Sequence, residues 1–398
     1  MALATGVFNT NTGNPAELNA RSFAGQILRR FPNGSAPMFA LTSQSGKSRA
    51  KSSTHGYFSK VMTFSTLVVN GAVNGAATTL VVDSTAGVVP GMVFFNPATR
   101  ENIRVSAVAS GTDLTIQRAF GRVAAGAIAD DAALISVGTA FEEGSNRPVA
   151  RRLTVVYVPN YTQIFRNAWA LTDTARASLA EAGYNNLAEN RADCAMLHAV
   201  DIESAIIWGQ PKMDTTGPTP IHATQGVIDA LEQYAPENTN AAASTTTWAQ
   251  WVTLVEPAFK YATNIGNPKE RVMFVDNQAA KVINDIGIKS GQVMMSNSET
   301  KFGMKFTTFQ FYLGSIDIVI HPLLNGLNQA GTAIIADMPA LKLAYMDGRD
   351  TKPEEYNTGG KIVENGVDAV GGSLTTELAV ELLNPYSWAY ITGLTAAA

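Results

Sequence analysis

The sequence predicts an α+β fold in which strands and helices occupy successive blocks of the chain. Short β-rich runs separated by turn signals fill residues 58–158, and two helical patterns follow in residues 161–208. A section of alternating helices and strands comes next, and residues 373–394 return to long β-rich alternation. The chain has 398 residues, of which 46% are hydrophobic and 16% charged. This globular composition leaves room for two or three packed units.

Residues 1–58 are predicted to form an N-terminal arm. Residues 15–31 can form a short helix with Phe23, Ile27 and Phe31 on one face. The following FPNGSAP contains two prolines and a glycine, which end the helix. The next stretch, SQSGKSRAKSSTHG, is polar and basic, so we expect it to be extended.

The charge of this arm differs from that of the remaining chain. Residues 1–60 hold seven basic residues and one acid, a net charge of +6, whereas residues 151–398 carry a net charge of −8. This asymmetry predicts that the arm lies on something negative, either a neighbouring copy of the chain or nucleic acid. A solvated tail is the alternative, but apolar residues such as Met38, Phe39 and Leu41 favour a partner surface.

Residues 58–158 are predicted to form a compact β unit or small barrel. Turn signals such as VNG, VPG and SGTD separate its β-rich runs. Two longer segments, SKVMTFST and FEEGSNRPVARRLTVVYV, flank the unit, so it looks inserted into the tip of an extended hairpin. The β-rich runs are FSTLVV, TTLVVD, MVFFN, NIRVSAVA, DLTIQRAF and ALISVG.

Helices are predicted next, over YTQIFRNAWALTDTARASLAEAG and from about Asn186 to Trp208. Further helices are expected in TQGVIDALEQYA, TWAQWVTLVEPAFKYATNIG and DNQAAKVINDIG, the last starting on Asp276. Strands are expected in RVMFV, FTTFQFYL, SIDIVIHPLL, AIIAD and LKLAYM. The helix in TWAQWVTLVEPAFKYATNIG is predicted to bury a stripe made of Trp248, Val252, Val255 and Phe259.

One helix carries the residues that could support chemistry. Cys194, His198 and Asp201 share one side of the helix that begins at Asn186, a spacing that suits a metal site or a nucleophile with its base. A catalytic thiol is expected in an electropositive, partly exposed site, but Cys194 is in mid-helix beside Asp193. We therefore predict a packing face, with an enzyme using Cys194 and His198 as an alternative.

The opposite side of the same helix forms a stripe rich in alanine. A helix with such a stripe can press closely onto a sheet or another helix, so this side is predicted to be its main packing face. The stripe consists of Ala188, Ala192, Ala195, Ala199, Ile202 and Ile206.

Other signals of function are few. No zinc-type spacing joins the four histidines and no catalytic motif occurs, so no catalytic, cofactor-binding or metal-binding residue is predicted. No apolar run reaches the ~18 residues of a membrane span, and the start lacks the pattern of a secretory signal. The single cysteine fits a reducing compartment.

The ordered set of segments resembles the major capsid proteins of tailed bacteriophages, which have the Hong Kong 97-like fold. The phrases NPAELNARSFAGQILRRFPNGSAPMFALTS, PGMVFFNPATRENIRVSAVASGTDLTIQRAFG, PNYTQIFRNAWALTDTARAS and DIESAIIWG are similar to the SU10-type subfamily. The resemblance runs over nearly the whole chain.

The resemblance implies a role for each segment. Residues 1–58 would be an N-terminal arm that crosses onto neighbouring subunits, and residues 59–158 an extended loop carrying the inserted β domain. Residues 159–222 would be the peripheral domain with a long spine helix, residues 223–340 the axial domain, and residues 341–398 the return strands of the peripheral domain.

The implied function is structural rather than enzymatic. Copies would self-assemble into hexamers and pentamers of an icosahedral shell, which encloses double-stranded DNA without sequence-specific binding. Scaffolding, portal and decoration proteins would be partners, and the protein would be assembled in the host cytoplasm and located in the virion. An encapsulin-like nanocompartment is the alternative. Charged residues expected at assembly contacts are Arg21, Arg29, Arg30, Lys47, Arg49, Lys51, Glu142, Glu143, Arg151 and Arg152.

Overall fold

A computed structural model of the chain describes residues 36–42, 45–60, 66–177, 186–261, 270–290, 295–301, 304–327, 329–356 and 368–397. The chain divides into two compact units. Unit 1 joins Met1–Tyr57 to Val158–Ala398, and unit 2 is Phe58–Tyr157. Unit 1 contains both helices and sheets, and unit 2 is built around a six-stranded sheet. The α+β class that the sequence predicts is therefore confirmed.

The long helix predicted after Asn186 is confirmed as α3, which spans 23 residues. Gly209 directly follows the helix, and its carbonyl accepts a hydrogen bond from Gly226 N at 2.8 Å. A Cβ on Gly209 would lie 2.5 Å from Thr224 O, so this crossing requires glycine. The helices of the described residues are α1 (Pro37–Thr42), α2 (Asp173–Ala177), α3 (Asn186–Trp208), α4 (Val227–Tyr234), α5 (Trp248–Val255), α6 (Pro257–Lys260), α7 (Asn277–Ser290) and α8 (Pro322–Gly326).

The strands of the described residues are numbered in chain order. Those up to the end of unit 2 are β1 (Lys47–Ala50), β2 (Thr54–Ser59), β3 (Thr66–Val68), β4 (Thr79–Val81), β5 (Met92–Phe95), β6 (Asn102–Val108), β7 (Asp113–Gln117) and β8 (Ala133–Thr139). The later ones are β9 (Val156–Tyr161), β10 (Gln163–Thr172), β11 (Lys212–Asp214), β12 (Ile221–Ala223), β13 (Thr239–Ala241), β14 (Glu270–Val275), β15 (Met295–Lys301), β16 (Met304–Phe311), β17 (Gly314–Ile320), β18 (Ala333–Ala336), β19 (Leu341–Met346), β20 (Lys352–Tyr356), β21 (Ala369–Leu382) and β22 (Ala389–Thr392).

Two sheets organise unit 1. The first has the order β1-β19-β21-β10, and β20 also pairs with β21. The second has the order β13-β22-β18-β14-β17-β16-β15, with parallel pairing of β14 to β17 and of β13 to β22. Two small two-stranded sheets pair β11 with β12 and β2 with β9. Strand β21 pairs with β10 on one side, and with β19 and then β20 on the other.

Two apolar clusters form the core of unit 1. One joins α1, the C-terminal half of α3 and α4 to strands of both sheets, and it includes Met38, Ile202, Ile206 and Phe274. The other packs α5, α6 and α7 against the second sheet. Helix α7 begins as predicted, because Asp276 Oδ1 accepts a hydrogen bond from Ala279 N at 2.9 Å.

Unit 2 follows the predicted β pattern. Its six β-rich runs form β3 to β8, in the sheet order β3-β8-β5-β6-β7-β4. Side chains alternate between the two faces of these short strands, and large ones such as Phe94, Leu114 and Leu134 are fully buried. The unit therefore has an apolar core of its own.

The helix predicted over YTQIFRNAWALTDTARASLAEAG is wrong in its first half. Residues Gln163–Thr172 form strand β10, and within the described part of this range, up to residue 177, the helix is limited to Asp173–Ala177, as α2. All ten residues of β10 pair antiparallel with β21, from Gln163 opposite Leu378 to Thr172 opposite Ala369. Pairing over ten residues, with Ile, Phe, Trp and Thr in the strand, outweighs the helical pattern. The predicted end of this helix at Gly183 lies outside the described residues, as does the arm helix at 15–31.

The stripe predicted on the helix after Thr247 is only partly correct. Val255 is fully buried, but the largest buried side chain is Trp251, whereas Trp248 and Phe259 are half-buried. The helix breaks at Glu256, because Pro257 starts the separate helix α6. This break ends the regular spacing on which the predicted stripe depends.

Candidate functional site

The face of α3 that carries Cys194, His198 and Asp201 packs against the first sheet. His198 Nδ1 donates to Asn167 Oδ1 at 2.6 Å, and its Nε2 accepts from Thr376 Oγ1 at 2.7 Å. Asn167 Nδ2 in turn donates to Asp201 Oδ2 at 2.7 Å. Burial lowers the pKa of His198, with the charge of Asp201 acting in the opposite direction. The histidine is thus a neutral bridge from α3 to β10 and β21.

Cys194 has the surroundings of an inert thiol. Its side chain is buried, and burial raises the pKa of the thiol. Both nitrogens of His198 already have hydrogen-bond partners, so neither is available to take a proton from Cys194. The interpretation of this face as a packing face is confirmed.

The predicted role of the alanine stripe is wrong for the first half of α3. Ala188, Ala192 and Ala195 are exposed, and only the C-terminal members Ile202 and Ile206 are buried. The polar side of the helix turns to the sheet because its side chains find partners there. Besides the bonds of His198, Arg191 Nη2 lies 2.9 Å from Glu355 Oε1, and its guanidinium stacks 4.9 Å from the ring centre of Trp169.

Glu203 is a functional candidate that the sequence analysis misses. It lies on α3, its side chain is fully buried, and its two oxygens accept three N–H bonds. Oε1 accepts from Met38 N at 2.8 Å and from His321 Nε2 at 2.7 Å, and Oε2 accepts from Phe39 N at 2.6 Å. A signal for it is present in the sequence: Glu203 is the one acid within the apolar end of the helix, IESAIIW. We name Glu203, His321 and α1 the arm anchor.

A second carboxylate holds the strand region that follows α1. Glu381 on β21 lies with its Oε2 3.2 Å from His55 Nε2. Burial alone would raise the pKa of Glu381, but hydrogen bonds from His55 and Ser48 and the charge of Lys342 outweigh it, so the pKa is lowered. Residues 45–57 are thereby fastened to the body of their own chain.

The bases of residues 1–58 predicted at assembly contacts divide into three groups. Lys47 Nζ contacts Asp350 Oδ2, and Arg49 Nη1 lies 3.6 Å from Asp347 Oδ1, so both pair with acids of the same chain. These pairs follow from β1, which runs parallel to β19 with Lys47 opposite Leu343. Lys51 is exposed just after β1. Arg21, Arg29 and Arg30 lie outside the described residues.

The predicted contact residues of unit 2 are all exposed: Glu142, Glu143, Arg151 and Arg152.

A buried ion pair in unit 2 involves other residues. Glu101 is fully buried and receives two bonds from Arg118, at 2.8 Å from Nε and 2.7 Å from Nη2, and another from Ala119 N at 2.8 Å. Burial would raise the pKa of Glu101, but the bonds from Arg118 and the backbone lower it. This pair holds the loop that follows β7.

Among the described residues, no group of His, Cys, Asp and Glu side chains is arranged to hold a metal ion. In the same part of the chain, no helix is long and apolar enough to cross a membrane. The polar clusters described above bind backbone and side chains of other segments of the chain.

Comparison with known proteins identifies the family. The model of the SU10 major capsid protein family matches residues 5–395. The major capsid protein of Pseudomonas phage PaMx41 is 50% identical over 406 residues, which cover 99% of this chain and 97% of that protein. The chain belongs to the SU10 major capsid protein family. This is a family of structural proteins, which excludes the enzyme alternative.

Solved structures give weaker likenesses. A chain of Microbacterium phage Oxtober96 is 10% identical with a TM-score of 0.49, covering 95% of this chain and 97% of that one. A chain of the holo-SrpI encapsulin complex of Synechococcus elongatus is 10% identical with a TM-score of 0.44, covering 62% of this chain and 80% of that one. The family assignment rests on the sequence matches alone.

Proposed function

We propose that this protein is the major capsid protein of a tailed phage and forms the icosahedral shell around its double-stranded DNA. The observation that carries the proposal is the family match over residues 5–395, together with a 50% identical major capsid protein. Closed shells of identical subunits need heterologous contacts, in which one patch meets a different patch on the next copy. Hexamers and pentamers provide such contacts in this proposal.

The Hong Kong 97-like roles assigned from the resemblance form part of the proposal. Unit 2 is the inserted domain of the extended loop, and the pairing of β2 with β9 at its two ends supports that role. Helix α3 is the spine of the peripheral domain, whose sheet also draws on residues 341–398. The axial domain is residues 223–340, which supply most strands of the second sheet. Residues 1–58 include the arm that reaches a neighbouring copy.

The charged residues proposed at assembly contacts differ in how far they are available to a neighbouring copy. Lys51, Glu142, Glu143, Arg151 and Arg152 are exposed and carry both signs, which suits head-to-tail contacts between copies. The proposal places the remaining contacts at Arg21, Arg29 and Arg30 of the arm. Lys47 and Arg49 contribute less, because acids of their own chain already engage them.

The setting of the protein follows from the same proposal. Subunits assemble in the host cytoplasm and remain in the virion, and scaffolding, portal and decoration proteins are the partners. The shell encloses DNA without reading its sequence. A net charge of −4 supports a container, since a strongly basic chain would hold phosphates tightly and without specificity.

Negative-stain electron microscopy of the purified protein tests the proposed function. We expect closed shells of uniform diameter, and mass spectrometry of purified phage particles should find this chain as the most abundant protein. Shells that co-purify with an enclosed enzyme would instead support an encapsulin-like compartment. A chain that stays monomeric at all concentrations and is absent from phage particles would contradict both functions.

A further inference from the structure

We propose that Glu203 is the positioning residue of the N-terminal arm. It fixes α1 in unit 1, and through α1 it fixes the place where residues 1–35 join the described part of the chain. A fixed arm lowers the concentration at which copies assemble into a shell. The inference rests on the proposed function, since it assigns Glu203 a role in shell formation.

The first step of the argument is the set of donors around Glu203. His321 Nδ1 accepts a hydrogen bond from Leu323 N at 3.2 Å, which leaves Nε2 to donate to Glu203. The other two N–H groups that donate to the carboxylate come from α1, and they are the backbone N–H groups of Met38 and Phe39. If α1 moved away, a fully buried carboxylate would keep only the bond from His321. Burial of such a poorly paired charge is costly, which favours α1 in its place.

The dependence also holds in the other direction. The first N–H groups of any helix lack a backbone acceptor. Met38 and Phe39 are the second and third residues of α1, and Pro37 before them has no N–H. Glu203 thus supplies from another helix the acceptor that a capping side chain would usually provide. Neither Glu203 nor the start of α1 is satisfied without the other.

Apolar contacts give α1 a single position. Met38 is fully buried and Leu41 is nearly so, both within the cluster that contains Ile202 and Ile206 of α3. At the far end of the helix, Ser45 Oγ donates to Met338 O at 2.8 Å. The hydrogen bonds to Glu203 fix where α1 lies along the axis of α3. The buried side chains of Met38 and Leu41 fix which face of α1 points into the core.

Ala36 directly precedes α1 and is almost buried. Fixing α1 therefore fixes the place where residues 1–35 join the described part of the chain. Release of α1 would lower the effective concentration of these residues at their target on a neighbouring copy.

The test compares Glu203→Gln with Asp201→Asn. Both substitutions remove one negative charge from α3, but Asp201 is exposed and its carboxylate bonds to Asn167. Met38 N and Phe39 N donate to different oxygens of Glu203, and the glutamine amide keeps only one oxygen, so one of these bonds is lost. We expect amide hydrogen exchange in residues 36–42 to rise by about tenfold or more in Glu203→Gln. The concentration needed for shell assembly should rise by a similar factor, and Asp201→Asn should change neither quantity.

An arm deletion separates positioning from general stability. If Glu203 acts through residues 1–35, a chain lacking residues 2–35 should need the same concentration for assembly whether or not it also carries Glu203→Gln. A further rise in the double variant, equal to that of Glu203→Gln alone, would overturn the proposal. So would normal exchange and normal assembly of Glu203→Gln. Failure of the unmodified protein to form shells would instead contradict the proposed function.

The unmodified protein provides a second measurement if Glu203→Gln does not fold. The proposal expects amides in residues 38–39 to exchange at least about tenfold more slowly than those in the largely exposed turn at residues 51–53. Equal exchange in the two segments would show that Glu203 does not hold α1, and would overturn the proposal.

Discussion

Residues 36–50 are fastened to the rest of unit 1 by two contrasting kinds of contact. In the arm anchor, a carboxylate with no solvent exposure holds two backbone N–H groups and a histidine. At β1, the side chains of Lys47 and Arg49 pair with Asp350 and Asp347, and all four are at least 44% exposed. The two contacts are only a few residues apart along the chain.

From this difference we expect burial, more than charge, to decide how much each contact contributes to stability. An exposed ion pair gains little, because water and salt screen it and two long side chains lose their freedom. A buried carboxylate gains little from its partners in net terms either, but the loss of one partner leaves a desolvated charge. The bases give residues 1–60 a net charge of +6, whereas the buried contact is made by two backbone N–H groups and a histidine.

The largest expected effect is that of removing His321. His321→Ala should lower the free energy of unfolding of unit 1 by about 3 kcal/mol, because Glu203 would lose a donor at a fully buried site. Urea denaturation followed by tryptophan fluorescence measures the loss. His55→Ala is the matched control, since His55 also pairs with a glutamate but retains partial exposure. Equal losses for the two variants would contradict the role given to burial.

The same reasoning extends to unit 2. Arg118→Ala should destabilise unit 2 by about 2 to 3 kcal/mol, because Glu101 has no solvent exposure and depends on two bonds from Arg118. Arg122, exposed in the same loop, provides the control Arg122→Ala, which should cost below about 0.5 kcal/mol. Hydrogen exchange of strands β6 and β7 reports on this unit by itself. Similar protection in the two variants would sink the prediction.

Local patterns predicted those parts of the fold whose causes are local. Helix α3 has no proline or glycine between Asn186 and Trp208, and Gly209 follows directly. The six strands of unit 2 are short β-rich runs separated by turn residues, so the sequence indicates each of them. The family phrases added the order of the segments and the function.

The features that local patterns failed to predict depend on contacts between residues far apart in the sequence. Strand β10 has a helix-like spacing, but β21, about two hundred residues later, pairs with all of it. Glu203 meets Met38 and His321, which lie 165 and 118 residues away along the chain. The face of α3 that meets the sheet was also chosen by distant residues, Asn167 and Thr376. No window of neighbouring residues contains these contacts.

The contact between His55 and Glu381 is intermediate in burial, and its contribution to stability can be measured by varying the pH. Because the folded state lowers the pKa of Glu381 from its ordinary 4.5, the ionised form stabilises the fold. This contribution is complete above pH 4.5 and disappears as the pH falls through the lower folded value. Thermal unfolding should therefore show that Glu381→Gln is less stable than the unmodified protein at neutral pH, with the gap closing in acid. If the difference in stability widened in acid, folding would raise the pKa of Glu381 rather than lower it, which would contradict the prediction.

The smallest effect is expected at β1. Lys47→Ala combined with Arg49→Ala should cost below about 1 kcal/mol, because both pairs are exposed. Screening should shrink even this loss at high salt, whereas the loss in His321→Ala should persist there, since salt cannot enter a fully buried site. Urea denaturation of both variants at low and high salt makes the comparison. If the β1 variant lost as much stability as His321→Ala, and lost it at every salt concentration, the bases rather than Glu203 would be the main fastening of the segment.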